Sequence, residues 1–186
     1  MGMFRQSLLV LLVALLSYAT AWHTGLRLAV RRGAAAAIIA LSPTLAFADA
    51  AEKQLNLPVP QFLKVVEDDI TERQALATAD FTRSIYGEDC TFTDEIDTYK
   101  IDEYVKGTKA LFNGALSKVE LTTPVTLVDD VVSYRFKETL AFKVPLSPKV
   151  DLTGKVELRR GKDGLIHRSQ EFWDDGVVEV LQHIYF

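Results

Sequence analysis

The chain has 186 residues, 48% of them hydrophobic, and a formal net charge of −4. Residues 1–48 hold four arginines and no acid, which leaves 17 Lys/Arg against 25 Asp/Glu in residues 49–186, a net of −8. That acidity argues against nucleic acid, whose recognition needs clustered cations, and against adhesion to an anionic membrane surface; the single cysteine, Cys90, excludes an internal disulfide or a Cys-rich metal site.

The first 48 residues read as serial targeting signals. Arg5 supplies a positive start, Ser7 to Leu16 an apolar run, and Ala19-Thr20-Ala21 a small-x-small cleavage triplet. Residues 1–21 therefore read as a secretory signal peptide, too short to span a bilayer. Residues 22–30, "WHTGLRLAV", are basic and acid-free. Arg31-Arg32 then precede a weakly hydrophobic, Ala-rich run that ends in Ala46-Phe47-Ala48, so residues 31–48 read as a twin-arginine export signal. The order resembles the layered leader of nucleus-encoded plastid proteins in algae with secondary plastids. That resemblance implies the plastid thylakoid lumen, with secretion as the alternative, and a mature chain that begins near Asp49.

Residues 49–60 form a polar, proline-marked lead-in. Phe62, Leu63, Val66, Ile70, Ala77 and Phe81 fall on one helical stripe. Gly87 breaks the period, and "IYGEDCTFTDE" predicts a short extended piece. Tyr104, Val105, Leu111, Phe112, Ala115 and Leu116 return to helical spacing, which places Phe112 on an apolar stripe facing a sheet. After Lys118 the period becomes two. "KVELTTPVTLVDD", "VVSYRFKETLAFKVPL", "VDLTGKVELRR" and "GLIHRSQEFWD" predict four long strands, the last reached through a turn at "GKDG". Helices followed by antiparallel strands predict an α+β fold: about three helices packed on a curved, mainly antiparallel sheet of four to six strands, filling residues 61–186 with a C-terminal extension.

Three stretches carry a further resemblance. "IYGEDCTFTDEIDTYKIDEYVKGTKALF" and "KVELRRGKDGLIHRSQEFWDD" resemble the SnoaL-like, or nuclear-transport-factor-2-like, superfamily, in which a cone of helices caps a bent sheet. "KVPLSPKVDLTGKVELRRGKDGLI" resembles, more narrowly, an uncharacterised plastid branch found in plants and algae. The fold hosts isomerases, dehydratases, cyclases and non-enzymatic adaptors, so activity has to be argued from the cone's interior. Asp94 matches the general-base position of the ketosteroid-isomerase branch. The oxyanion donors of that branch would fall near Ile70 and Thr153, and Ile70 cannot donate.

The strand pattern itself singles out Glu138, between Phe136 and Leu140 on an apolar face. A carboxylate there is desolvated and suited to acid–base work, unless a strand end or bulge lets it reach water. In the last strand His167, Ser169, Glu171 and Trp173 alternate onto one face and Ile166, Arg168, Gln170, Phe172 and Asp174 onto the other. His167 reads either as a pocket residue or as a wet edge residue, and Trp173 as pocket lining or core. Cys90 reads as a buried inert thiol.

The catalytic candidates are thus Asp94, Glu138 and His167, and the candidate pocket is Tyr86, Phe92, Phe112, Tyr134, Phe136, Glu171 and Trp173. Metal ligands are scarce, and neither a phosphate loop nor G-x-S-x-G is present, so no metal and no cofactor are expected. The incomplete catalytic set and acidic surface lean toward a non-catalytic lumenal protein that serves a thylakoid membrane protein complex in photosynthesis. The rival is a small isomerase or cyclase, or a carrier of a small hydrophobic ligand. A homodimer through the sheet face is a further expectation.

Overall fold

Helix α1 spans Val59–Thr71 with Pro60 in its first turn, where no intrahelical donor is lost. Its stripe of Phe62, Val66 and Ile70, four residues apart, is buried. A computed structural model describes residues 52–186, all within one compact unit, Asp49–Phe186; the expected leader and its cleavage triplet lie outside the described residues. The lead-in is docked, not loose: the Gln54 amide donates to Ser84 O and the Asn56 amide to Asp163 O.

The expected single stripe from Phe62 to Phe81 is interrupted. Gln74 adopts φ 58° and separates α1 from one further turn, α2, Ala75–Thr78. Its amide side chain has a task there. Nε2 donates to Val119 O and Oε1 accepts from Val119 N, so the side chain satisfies the outer edge of the sheet as a further strand would. Asp69, buried on α1, accepts from the Thr82 amide at 2.9 Å and the Thr82 hydroxyl at 2.6 Å, which fixes the chain ahead of the first strand.

The strands are β1 (Tyr86–Thr93), β2 (Thr98–Lys100), β3 (Lys118–Leu121), β4 (Thr126–Val128), β5 (Val131–Ala141), β6 (Lys149–Arg160) and β7 (Ile166–Trp173). Helix α3 is Ile101–Leu111 and helix α4 is Val177–Gln182. The sheet runs β2-β1-β7-β6-β5-β3, with β4 also on β5. Among the described residues only β1 and β7 pair in parallel. The fold is therefore the expected α+β arrangement, helices against a curved, mainly antiparallel sheet.

Three local differences have physical causes. The first predicted long strand is two short ones, because Pro124 lacks an amide and the chain steps out at Thr122–Pro124, where the Arg135 amide bonds the Thr123 hydroxyl instead. Helix α3 stops at Leu111; Phe112 is its extended C-cap and pairs with Phe142. The expected register of the last strand breaks at its start, as described below.

Helices α1 and α3 cover the concave face. That face presents Val132, Tyr134, Phe136, Glu138 and Leu140 of β5, and Val150, Leu152, Val156 and Leu158 of β6, all buried. Gly154 interrupts the β6 series where the sheet packs most tightly. A Cβ there would lie 2.3 Å from Phe172 O and 3.0 Å from Phe136 Cζ.

Candidate functional site: a carboxyl pair under a ring cluster

Strand register decides which side chains meet inside the cone. Tyr134 pairs with Val156, which pairs with Glu171. Phe136 pairs with Gly154, which pairs with Trp173. Glu138 lies between Val119 of β3 and Leu152 of β6. On the other side Phe92 pairs with Ser169 and Thr93 with Gln170, so the alternation brings Asp94 to the side of Glu171.

Glu138 is the outlier of this surface. It stands eighth in an eleven-residue strand and is 3% exposed, so no strand end carries it to water. Its Oε2 has no hydrogen-bond partner among the described residues. Burial raises its pKa well above the usual carboxylate range, and the charge of Glu171 pushes the same way. Glu171 is half-buried and accepts a hydrogen bond from Trp173 Nε1 at 2.6 Å. Burial raises its pKa to about 7; the Trp173 bond lowers it, and the charges of Asp94 and Glu95 raise it.

Two phenols face this pair. For both Tyr104 of α3 and Tyr134, burial is the main cause of a strongly raised pKa, followed by the negative charges of Glu171 and then Glu138. Both stay neutral and can donate. Two neighbouring carboxyls in a dry site do not both ionise readily, so at neutral pH one keeps its proton while the other can accept one. An acid, a base and neutral donors thereby occur on the inner side of one sheet, among apolar neighbours.

The other candidates divide. Phe92 stacks on Tyr104 with ring centroids 4.4 Å apart, and Tyr86 on Phe92 at 5.9 Å, with Phe81 tilted against all three rings. Tyr86, Phe92, Tyr134, Phe136, Glu171 and Trp173 thus share the concave side. Phe112 sits half-buried beyond α3, its ring 5.4 Å from Phe142. Asp94 holds a turn: its Oδ1 accepts from the amides of Ile96 at 2.8 Å and Asp97 at 2.9 Å. Burial raises its pKa while those amides lower it. Ile70 is buried, and the Thr153 hydroxyl is spent on Asp174 at 2.6 Å, so neither supplies an oxyanion donor. Tyr104 was legible only as one member of a helical stripe; its place follows from the packing of α3 against Phe92 of β1, which no local spacing reveals. Cys90 is buried, and burial raises its thiol to about 12.

His167 belongs to a different construction. Arg159 pairs with Arg168 and Arg160 with Ile166, so His167 is the extra residue of a bulge, and Ile166 rather than His167 continues the buried side. Its Nδ1 lies 2.6 Å from Asp89 Oδ1 and its Nε2 3.0 Å from Asp163 Oδ2. Glycines border the ring: a Cβ at Gly87 or Gly161 would come within 2.8 or 2.7 Å of its carbons. Burial works against the imidazolium, but Asp163 and Asp89 outweigh it and raise the pKa above the ordinary histidine value. The stabilisation is complete below about pH 6.5 and is lost as pH rises through the raised folded value. The gap in urea midpoint between wild type and His167→Gln is therefore expected to be widest below that pH and to close above it; a gap that does not vary with pH would contradict the ion-paired clasp.

No protein-family model matches the chain, and no curated protein matches it. Among solved structures, AclR from Streptomyces galilaeus aligns at 17% identity over 67% of this chain and 98% of its own, with a TM-score of 0.48. A nuclear transport factor 2 (NTF2-like) superfamily protein from Salmonella enterica serovar Typhimurium aligns at 10% identity over 64% of this chain and 96% of its own, with a TM-score of 0.47. An NTF2-like protein of unknown function from Exiguobacterium sp. 255-15 aligns at 16% identity over 63% of this chain and 98% of its own, with a TM-score of 0.42.

Proposed function

We propose that the domain binds a small apolar molecule in the cone and moves a proton on it, with Glu138 and Glu171 as the acid–base pair. The observation that carries this reading is the buried, unpartnered carboxylate oxygen of Glu138 beside a second raised carboxyl. A side chain needed only for packing between Val119 and Leu152 would be aliphatic. An unpaired buried carboxyl costs stability, and groups of this kind gather at functional sites.

The chemistry that suits the set is proton transfer beside a carbonyl. The carboxylate takes a proton from the adjacent carbon, and the electron pair moves to the carbonyl oxygen. The neutral carboxyl, or the phenol of Tyr104 or Tyr134, donates a hydrogen bond to that oxygen. Return of the proton at another carbon completes an isomerisation or sets up a ring closure. Asp94 is not the base in this scheme, because its oxygen is engaged in the turn.

The leader supports delivery to the plastid thylakoid lumen, and the narrower resemblance to a plastid branch agrees with it. A second reading, an accessory subunit of a photosynthetic membrane complex, is favoured by the stacked rings of Phe81, Tyr86, Phe92 and Tyr104 that fill the α3 side of the cone.

Proton exchange separates the two. Cyclic enones and ketones incubated with the protein in heavy water are expected to lose α-proton NMR signal. The loss should vanish in Glu138→Gln and Glu171→Gln and persist in Asp94→Asn. Exchange no faster than in buffer for the folded wild type would remove the catalytic reading and leave the accessory one.

A further inference from the structure

One end of the domain has the opposite charge to the rest. Three of its segments, residues 104–119, 139–150 and 180–186, contain no Asp or Glu, yet hold Lys106, Lys109, Lys118, Lys143 and Lys149. The fold brings them together. The Asn113 amide donates to Ala141 O, Lys143 N to Leu111 O, and Lys149 exchanges backbone hydrogen bonds with Tyr185. Of the bordering carboxylates, Asp151 accepts from the Thr139 and Tyr185 hydroxyls and Glu120 pairs with Lys118, so the charge of the pole rests on Lys106, Lys109, Lys143 and Lys149. A domain carrying −8 thus has a basic pole.

Apolar side chains project from this pole. The β5–β6 turn, "KVPLSPK", leaves Leu146 83% exposed and Val144 38% exposed. Leu146 has φ 70° and Ser147 φ 43°, a left-handed backbone that ordinarily falls to glycine or asparagine. The bridge between Lys149 and Tyr185 is antiparallel, so Phe186, 72% exposed, runs alongside Pro148 toward the same tip. An exposed leucine on strained backbone has no packing role in the domain itself.

We propose that this tip docks the domain on an anionic lipid bilayer, with Val144, Leu146 and Phe186 entering the interface and the lysines at headgroup level. The shape favours lipid over a protein partner: the apolar groups stand on a convex turn, which a bilayer accepts and which a protein could meet only with a matching pocket. Among the described residues no helix is long and apolar enough to cross a membrane. The acidity of the whole domain does not oppose it, since charges beyond about 10 Å are screened at ordinary salt.

The test places an environment-sensitive fluorophore on Val144→Cys in the full chain; Cys90 is 0% exposed and does not compete for label. The reporter reads the tip alone, whatever the leader does. Its emission is expected to shift to the blue on phosphatidylcholine vesicles that contain phosphatidylglycerol, with apparent partitioning about tenfold or more above that on phosphatidylcholine alone. Lys143→Glu with Lys149→Glu should erase that difference, and Leu146→Ser should weaken binding with the circular dichroism unchanged. A tip that stays in water on the anionic vesicles overturns the proposal and gives the pole to an acidic protein partner. Equal partitioning on both vesicles overturns it as well.

Discussion

Glu138→Leu is expected to stabilise the fold at pH 8 by about 1–3 kcal/mol while abolishing proton exchange on any substrate. Most core substitutions destabilise, so the sign is the informative part. Leucine fits between Val119 and Leu152 and leaves no buried oxygen without a partner. The pH dependence follows from linkage. A carboxyl whose folded pKa is raised holds its proton in the native state after the unfolded chain has released it. Between the ordinary value near 4.5 and the raised folded value, stability therefore falls as pH rises. Glu171, at about 7, contributes in the same direction from about pH 4.5 to about 7. The stability gained by Glu138→Leu should thus grow with pH, and Glu171→Gln should flatten the lower part of the slope. A loss of stability above pH 7 in Glu138→Leu would mean that the carboxylate has a partner and a structural role.

Gly154→Ala is expected to be the most damaging single-methyl change in the sheet, at about 3 kcal/mol. The added Cβ would lie 2.3 Å from Phe172 O, a backbone atom of β7 that cannot rotate away. On its other side stands the Phe136 ring, which uses the space above the glycine. Relief requires β6 and β7 to separate where the Asp174 amide bonds Thr153 O, and it would displace Trp173 and with it Glu171. The urea midpoint should fall with an unchanged m-value. A loss below about 1 kcal/mol would show that the strands can part there at little cost.

Much of the fold was legible because the apolar residues keep helical spacing on either side of one short extended piece and turn to alternation near Lys118. The face of β5 could be read residue by residue, Glu138 included. What stayed hidden depends on partners distant in sequence. Gln74 ends a helix with no glycine or proline to announce it, because its side chain is required at Val119, 45 residues away. The bulge at His167 shifts one residue out of alternation, and its cause, Asp89, lies 78 residues upstream. Gly154 in "VDLTGKVELRR" was the one local sign of close strand approach, since a glycine within a strand often marks one. In the site, Glu138 and Glu171 were each visible as polar residues on a strand face. Their relation was not, because it depends on β6 pairing with β5 on one side and β7 on the other.

Carbon-13 NMR titration of side-chain-labelled glutamate bears most directly on the proposed pair. Glu138 is expected to keep its proton well above the ordinary carboxylate range and Glu171 to titrate near 7. Each assignment would be made by the loss of its resonance in Glu138→Gln or Glu171→Gln, and Glu171→Gln should lower the pKa of Glu138 by removing the charge that faces it. Two carboxyls that both titrate near 4.5, with Glu138 unmoved by Glu171→Gln, would contradict the raised pair and the proton-transfer function built on it.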